Sequence, residues 1–472
     1  MNSKTNKKVI LILAVFCVLF SLLVLYMTYF QIVKAEDLAN NENNKRLWVD
    51  DTKIARGDIY DRDGNPIVQT EKDENGNNYR LFNYENIYGN ITGYNSKLYG
   101  TAGLEKSYTK ELLNIQDKSS ISQLRAMIEA DEKGNDMVLT TNTNLQRLAY
   151  NLLDGRKGSV VMLNPKTGEI YVIASSPSYN PNTLEDNWKE LSTGEDAALL
   201  NRATQGMYTP GSVFKIITSV AVLENPDLVD EYVEDNSGTI TFNNYTISNN
   251  DGAAFGSTDL RSALIHSSNV YFANQAVKIG SEKLSEVANR FMIDKKIPFD
   301  IPVATSIDGY TKTKSNADIA TTSFGQGETL VTPLNMAMAI GAIANGGNMM
   351  RPYMVDRLVD IDGNIFKKAK PEVLSQVTSE ENANILKEYL MDTANNYSTL
   401  NVNSMTVMGK SGTAEIKDKT STHAWFVAAA PVEDPQFAVA VILEDSNTYG
   451  FETAAPIAAE LLDAAVDEIG LE

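Results

Sequence analysis

The uncharged apolar run from Val9 to Phe30, VILILAVFCVLFSLLVLYMTYF, limits what this chain can become more than any other feature. At 1.5 Å per residue, a helix of that length matches the roughly 30 Å hydrocarbon core of a bilayer. One transmembrane helix is expected. Lys4, Lys7 and Lys8 precede the run, whereas Glu36 and Asp37 follow it. That lysine bias predicts a cytoplasmic tail at 1–8, an anchor at 9–30 in the cell membrane, and an extracytoplasmic body. A cleaved signal peptide fits less well, because the run exceeds the usual span of about 7 to 15 residues and ends in aromatics instead of an A-x-A site. Cys17, preceded by bulky Phe16, reads as a membrane-facing residue and not a lipid attachment point.

The body is large and ordinary in composition. A length of 472 residues suggests about three units. Its 43% apolar and 22% charged residues are those of a globular protein. A net charge of -20 repels a phosphate backbone, so nucleic acid is not an expected partner. With one Cys and two His (His266, His423), no intramolecular disulfide or Cys/His zinc site can be assembled, and no cofactor or metal is expected. Asp61 to Asn65, Asp73 to Asn77 and Asp360 to Asn364 lack the full acidic spacing of a calcium loop and read as turns.

A polar, Asn-rich neck follows the anchor, and Arg56-Gly57-Asp58-Ile59-Tyr60-Asp61-Arg62-Asp63-Gly64 predicts a hairpin. Residues 35–155 form an expected small mixed domain with a helix near Leu145 to Leu153. A second domain, 156–472, opens with two β-rich runs around the turn Asn164 to Gly168. Helical periodicity recurs at Val213 to Leu223, Val270 to Val277, Pro333 to Ala344, Glu381 to Leu390 and Ala455 to Ile469. Trp425 to Ala429 and Phe437 to Leu443 read as strands. Strands first, helices in the middle and strands with a helix last predict an α+β fold, an antiparallel sheet covered by helices.

One local pattern carries chemistry. In Tyr208-Thr209-Pro210-Gly211-Ser212-Val213-Phe214-Lys215, a helix starting near Ser212 puts Ser212 and Lys215 one turn apart on one face. A hydroxyl needs a base to become a nucleophile, and a helix N-terminus favours the charge that develops on the attacked group. S-x-x-K alone is common, and Ser107 to Lys110 is a second copy. Order separates them: after Ser212 come Ser267-Ser268-Asn269 and then Lys410-Ser411-Gly412-Thr413, the sequence S-x-x-K, S-x-N, K-x-G. Lys166-Thr167-Gly168 precedes the nucleophile and reads as a turn. Ser178-Tyr179-Asn180 also precedes it, and Ser248-Asn249-Asn250 sits in an Asn-rich loop, so both are set aside.

With these motifs in place, the chain resembles a class B penicillin-binding protein, a membrane-anchored D,D-transpeptidase of peptidoglycan synthesis. The resemblance extends to Gly103-Leu104-Glu105, the Asn164 to Asn182 segment ending SSPSYNPN, Asn201-Arg202-Ala203, Phe324-Gly325-Gln326-Gly327, Thr332-Pro333-Leu334 and Ala424-Trp425-Phe426. Ser268 replaces the usual Asp and Ser411 the usual Thr. The architecture implied is a short form: a small pedestal and a transpeptidase domain of the penicillin-binding/β-lactamase type.

The resemblance implies that Ser212 attacks a stem peptide ending in D-Ala-D-Ala, with Lys215 as base. It implies that Ser267 relays a proton to the leaving amine, that Asn269 holds Lys215 and the substrate amide, and that Lys410 and Thr413 meet the substrate carboxylate or support the proton network. It further implies an oxyanion hole made by the backbone N–H groups of Ser212 and Thr413, with Ser411 and Gly412 in the substrate-binding strand. β-Lactam antibiotics would be trapped as acyl-enzymes, and a membrane glycosyltransferase is the implied partner. His266 and His423 are left structural. The alternatives are a D,D-carboxypeptidase, a noncatalytic wall scaffold or a β-lactamase. Against the last, none of the Leu-Asn pairs at Leu113, Leu163, Leu334 and Leu400 has the Glu of an E-x-x-L-N pattern.

Overall fold

Strands that read as apolar runs without alternation are those covered on both faces. Gly158–Leu163, Ile170–Ser176 and Phe437–Leu443 are of this kind, and every residue in them is buried. With Met408–Glu415 and Thr422–Ala430 they form a five-stranded antiparallel sheet in the order 408–415, 422–430, 437–443, 158–163, 170–176. The computed structural model describes residues 3–29, 55–114, 133–242, 244–312, 315–416 and 421–471.

Alternate residues of this sheet enter two different cores. Val161, Ile173, Trp425, Val427 and Ala440 face one, packed with helices Lys215–Glu224, Asn269–Ile279 and Pro333–Ala344. Val160, Val172, Phe426, Val439 and Val441 face the other, shared with helices Thr143–Leu153 and Gly450–Ile469. The expected α+β arrangement is therefore a sheet between two helical layers.

Local chemistry sets the element ends. Pro333–Ala344 is apolar except for Asn335 and wholly buried; Thr332 caps it by accepting the Asn335 N–H at 3.2 Å. The last helix begins at Gly450 and not near Ala455, because Glu452 reaches back to the Tyr449 N–H at 3.1 Å and fixes an earlier turn. The helix expected over Glu381 to Leu390 runs from Glu380 to Asn395, capped by Ser379. Asn164 accepts the N–H groups of Lys166 (2.8 Å) and Thr167 (3.2 Å), and Gly168 has φ 86°, so Lys166-Thr167-Gly168 is a hairpin turn.

A second, six-stranded sheet has the order 365–368, 355–359, 136–139, 59–60, 66–72, 78–82. Two late strands, Val355–Val359 and Ile365–Lys368, complete this N-terminal sheet, while the Thr143–Leu153 helix packs on the main one. Ala55–Glu472 accordingly forms one compact unit. The other unit, Met1–Ile54, contains a helix Ser3–Tyr29 whose Leu11–Tyr29 stretch, 19 residues, is long and apolar enough to cross a membrane. Phe30 and the Asn-rich neck lie outside the described residues.

The three acidic turns each close on their own aspartate, and the first is also tied to the start of helix Thr143–Leu153, where the Thr143 hydroxyl donates to Asp61 Oδ2 at 2.6 Å. Asp61 accepts the N–H groups of Asp63 (3.0 Å) and Asn65 (2.8 Å), and Asp73 and Asp360 repeat the pattern at Asn77 and Asn364. Nearby, Glu105 sits fully buried between two arginines, 2.8 Å from Arg56 Nε and 2.5 Å from Arg80 Nη2. Burial pushes its carboxyl up, but the two guanidiniums outweigh this and hold it below the usual carboxylate range.

Removing one member of such a group strands the other charges. Glu105→Ala is expected to cost about 3 to 5 kcal/mol of unfolding free energy in chemical denaturation. Because the folded-state pKa is depressed, this contribution is present above the ordinary Glu range. It is lost as pH falls through the folded value, so the gap between wild type and variant should shrink below about pH 4.

Candidate active site

The segment around Ser212 is a tight turn, Gly211–Phe214, that runs directly into the helix Lys215–Glu224. Gly211, Val213, Phe214 and Lys215 are buried, and Ser212 alone in this stretch is partly exposed. Backbone packing holds the turn. Gly211 has φ 58°, its N–H donates to Gly325 O at 2.9 Å, and a Cβ there would lie 2.7 Å from Thr413 O. A Cβ at Gly412 would lie 2.9 Å from Pro210 O, so glycine on both sides lets the turn seat against strand 408–415. The buried Trp425 indole donates to Thr209 O at 3.0 Å. Tyr208 donates to Glu444 Oε1 at 2.6 Å, and Arg202 binds the same oxygen at 2.8 Å.

The second motif opens the helix Asn269–Ile279. Ser268 is its N-cap, buried, with Oγ accepting the Tyr271 N–H at 3.1 Å. Ser and Asp are both good N-caps, which accounts for Ser where the motif usually has Asp. Ser267 has φ 55°, an uncommon conformation for a side-chain-bearing residue. The loop set aside as a decoy braces this motif: Asn249 Oδ1 accepts the Val270 N–H at 3.0 Å and the Ser268 hydroxyl at 3.3 Å. Ser248 O accepts from Asn269 Nδ2 at 2.8 Å.

Strand 408–415 supplies the third motif. Lys410 shares the face of Met408 and Ala414, which belong to the helical core on the Lys215 side, and is fully buried. It donates to Ser267 Oγ (3.1 Å), Ser411 O (3.1 Å) and Tyr397 Oη (3.3 Å). Lys215, also fully buried, donates to Ser267 O (2.6 Å) and Asn269 Oδ1 (2.8 Å) and lies 3.1 Å from Ser267 Oγ. Burial, and after it the Lys410 ammonium, hold the Lys215 amine well below the ordinary lysine range. A neutral amine has two hydrogens and a lone pair. Two pure acceptors, Ser267 O and Asn269 Oδ1, take the hydrogens and leave the lone pair for a hydroxyl proton.

Strand 408–415 lies at the sheet edge. The Ser411 N–H donates off that edge to Tyr397 Oη at 3.2 Å, and the two-residue period puts the Thr413 N–H on the same edge, where Gly211 packs. The structure thus joins Lys215, Ser267, Asn269, Lys410 and Ser411 by hydrogen bonds. Gly211 and Gly412 bring the Ser212 turn and Thr413 beside them. The other S-x-x-K, Ser107 to Lys110, is split between two short helices, Gly103–Ser107 and Thr109–Leu112. Asn180 caps the turn at Pro181–Thr183. His266 stacks on Phe255 (centroids 4.9 Å apart), and His423 meets the Tyr208 ring edge-on at 5.4 Å. Asn249 and Tyr397 are the site residues that sequence reading did not find. Asn249 is one of several Asn in a polar loop, and Tyr397 follows a helix with no motif around it.

What a serine and a neutral lysine can do together is acyl transfer. The penicillin binding protein transpeptidase domain family matches residues 158–463, and the penicillin binding protein A dimerisation domain family matches 56–138. The peptidoglycan D,D-transpeptidase PbpA of Mycolicibacterium smegmatis is 30% identical, with 96% of this chain and 97% of that protein covered. The D,D-transpeptidase domain from Eggerthella lenta is 31% identical, with TM-score 0.80 over 89% of this chain and 100% of that one. Penicillin-binding protein A of M. tuberculosis, solved as a penicillin G acyl-enzyme complex, is 28% identical, with TM-score 0.81 over 87% of this chain and 99% of that one. The chain belongs to the class B penicillin-binding proteins.

If the neutral Lys215 amine is the base, acylation by penicillin should quicken as pH rises through its lowered range and then level off. Lys410→Gln removes the like charge that helps lower it, so the rising limb should move to higher pH in a stopped-flow pH profile. A limb that stays in place would separate Lys215 from the titration.

Proposed function

We propose that this protein is a serine peptidoglycan D,D-transpeptidase that works through an acyl-enzyme on Ser212 and is inhibited when β-lactams acylate the same hydroxyl. The supporting observation is the Ser267 hydroxyl, 3.1 Å from each of two buried lysines, Lys215 and Lys410. The Lys215 lone pair takes the Ser212 proton as the oxygen adds to the carbonyl of the penultimate D-Ala. Backbone N–H groups of Ser212 and Thr413 receive the developing oxyanion, each worth about 2.7 to 4 kcal/mol by analogy with other hydrolases. Collapse expels the terminal D-Ala, whose amine gains a proton passed from Lys215 through Ser267. Asn269 keeps Lys215 in place and retains a free amide hydrogen for the substrate. Lys410, Ser411 and Thr413 bind the free carboxylate, with Gly412 allowing close approach of the strand. The amine of a second stem peptide then takes the acyl group, which forms the crosslink.

A β-lactam offers a similar carbonyl and carboxylate, but its leaving nitrogen stays tethered and the acyl-enzyme persists. In this reading the N-terminal helix is a single-pass anchor with the body outside the cell membrane. Residues 35–155 supply most of the pedestal, to whose sheet strands 355–359 and 365–368 are added, 156–472 otherwise forms the transpeptidase domain, and a membrane glycosyltransferase supplies nascent strands to be crosslinked.

Mass spectrometry after exposure to penicillin G tests the assignment. Wild type should gain one covalent adduct and Ser212→Ala none. Lys215→Arg should acylate at least about 100-fold more slowly, as expected for loss of a general base. An adduct on Ser212→Ala would show that another residue is the nucleophile. A donor peptide ending in D-Ala-D-Ala with an amine acceptor should yield crosslinked product, whereas hydrolysis alone would mark a carboxypeptidase.

A further inference from the structure

Tyr397 lies two residues beyond the helix Glu380–Asn395, and its ring is pinned on two sides. It meets Phe426 edge-on, with centroids 5.7 Å apart, and stacks parallel to Phe451 at 6.1 Å. Its polar end is aimed at the third motif, where Lys410 Nζ (3.3 Å), Ser411 N (3.2 Å) and Ser411 Oγ (3.0 Å) all converge on the phenol oxygen.

Counting hydrogens decides how these groups are arranged. A phenol oxygen has two acceptor positions and one hydrogen. An ammonium and a backbone N–H can only donate, so Lys410 and Ser411 N fill both acceptor positions. The remaining contact is the Ser411 hydroxyl, which also donates to the phenol oxygen at 3.0 Å, so three donors compete for two acceptor positions. Of the three, only the Ser411 hydroxyl can rotate, so its hydrogen is the one that leaves the crowded oxygen for an arriving anion. Lys410, meanwhile, has all three hydrogens engaged, and no carboxylate pairs with it among the described residues.

We infer that Tyr397 is a positioning residue for recognition of the substrate's free carboxylate: its oxygen fixes the Lys410 ammonium and holds the Ser411 hydroxyl, whose hydrogen passes to the incoming anion. This rests on the reading of Lys410 and Ser411 as the carboxylate corner. The ligand chemistry is a carboxylate next to the scissile amide, as in a peptide C-terminus or penicillin G. The effect of Tyr397 depends on that negative charge and not on the carbonyl under attack.

The test compares purified full-length wild type, Tyr397→Phe, Ser411→Ala and the double variant, each acylated by penicillin G and by penicillin G methyl ester. Phenylalanine keeps both ring contacts and removes only the hydroxyl. Tyr397→Phe should slow acylation by penicillin G about 10- to 100-fold, the size of a lost hydrogen bond to a charged group, and slow the methyl ester far less. The double variant should be no slower than Ser411→Ala, because both changes break one relay. Equal slowing with both probes, no slowing, or effects that multiply would overturn the proposal. Should Tyr397→Phe fail to give a cooperative melt, Ser411→Ala carries the test, and a loss shared by both probes counts against the relay. Labelling of Ser212→Ala by penicillin G would instead refute the parent reading, independently of Tyr397.

Discussion

Two lysine side chains that share one hydroxyl away from water cannot both remain charged without a large free-energy cost. Lys215 and Lys410 are in this position around Ser267, and no carboxylate bonds to either among the described residues. The conflict is resolved unequally. Lys410 has three acceptors for its three hydrogens, while Lys215 is offered two pure acceptors and the field of its neighbour. Lys215 is the amine whose charge is suppressed. The fold thus lowers the proton affinity of one amine by withholding a counter-ion, and leaves the second with no carboxylate bonded to it among the described residues.

Such a site tolerates little displacement, and the surrounding structure removes the freedom to move. Gly211 and Gly412 let two backbones touch where any side chain would push them apart. Trp425, fully buried in the neighbouring strand, ties Thr209 to the sheet, and Glu444 gathers Tyr208 and Arg202 at the end of the strand beyond. The Ser267 backbone conformation is held by the capped helix that follows it and by Asn249 across the loop. Strain at one residue is then a consequence of order in several elements around it.

The N-terminal region is bound into the same body by strand exchange. Val355–Val359, which lies between the second and third motifs in sequence, pairs with Asp136–Leu139 and so ties the small sheet to the chain that carries the site. At the far side of that sheet, Glu105 and its two arginines join three separated segments around one buried carboxylate.

The order of the three motifs, the apolar run and the uninterrupted β-rich segments were legible without coordinates. Each is a statement about neighbours in sequence: spacing along a helix turn, the length of a hydrocarbon core, strands buried on both faces. Ser212 with Lys215, and Pro333–Ala344 as a buried helix, are of this kind. Asn249, Tyr397 and the late strands of the N-terminal sheet were not legible, because their roles come from partners many residues away and nothing in their local pattern differs from an ordinary loop or edge strand. The sequence alone determined which side chains were available for acyl transfer and in what order they occur. Only the tertiary structure decided that the Lys215 amine is held below the ordinary lysine range, because that depends on burial and on the distance between groups that the chain itself keeps far apart.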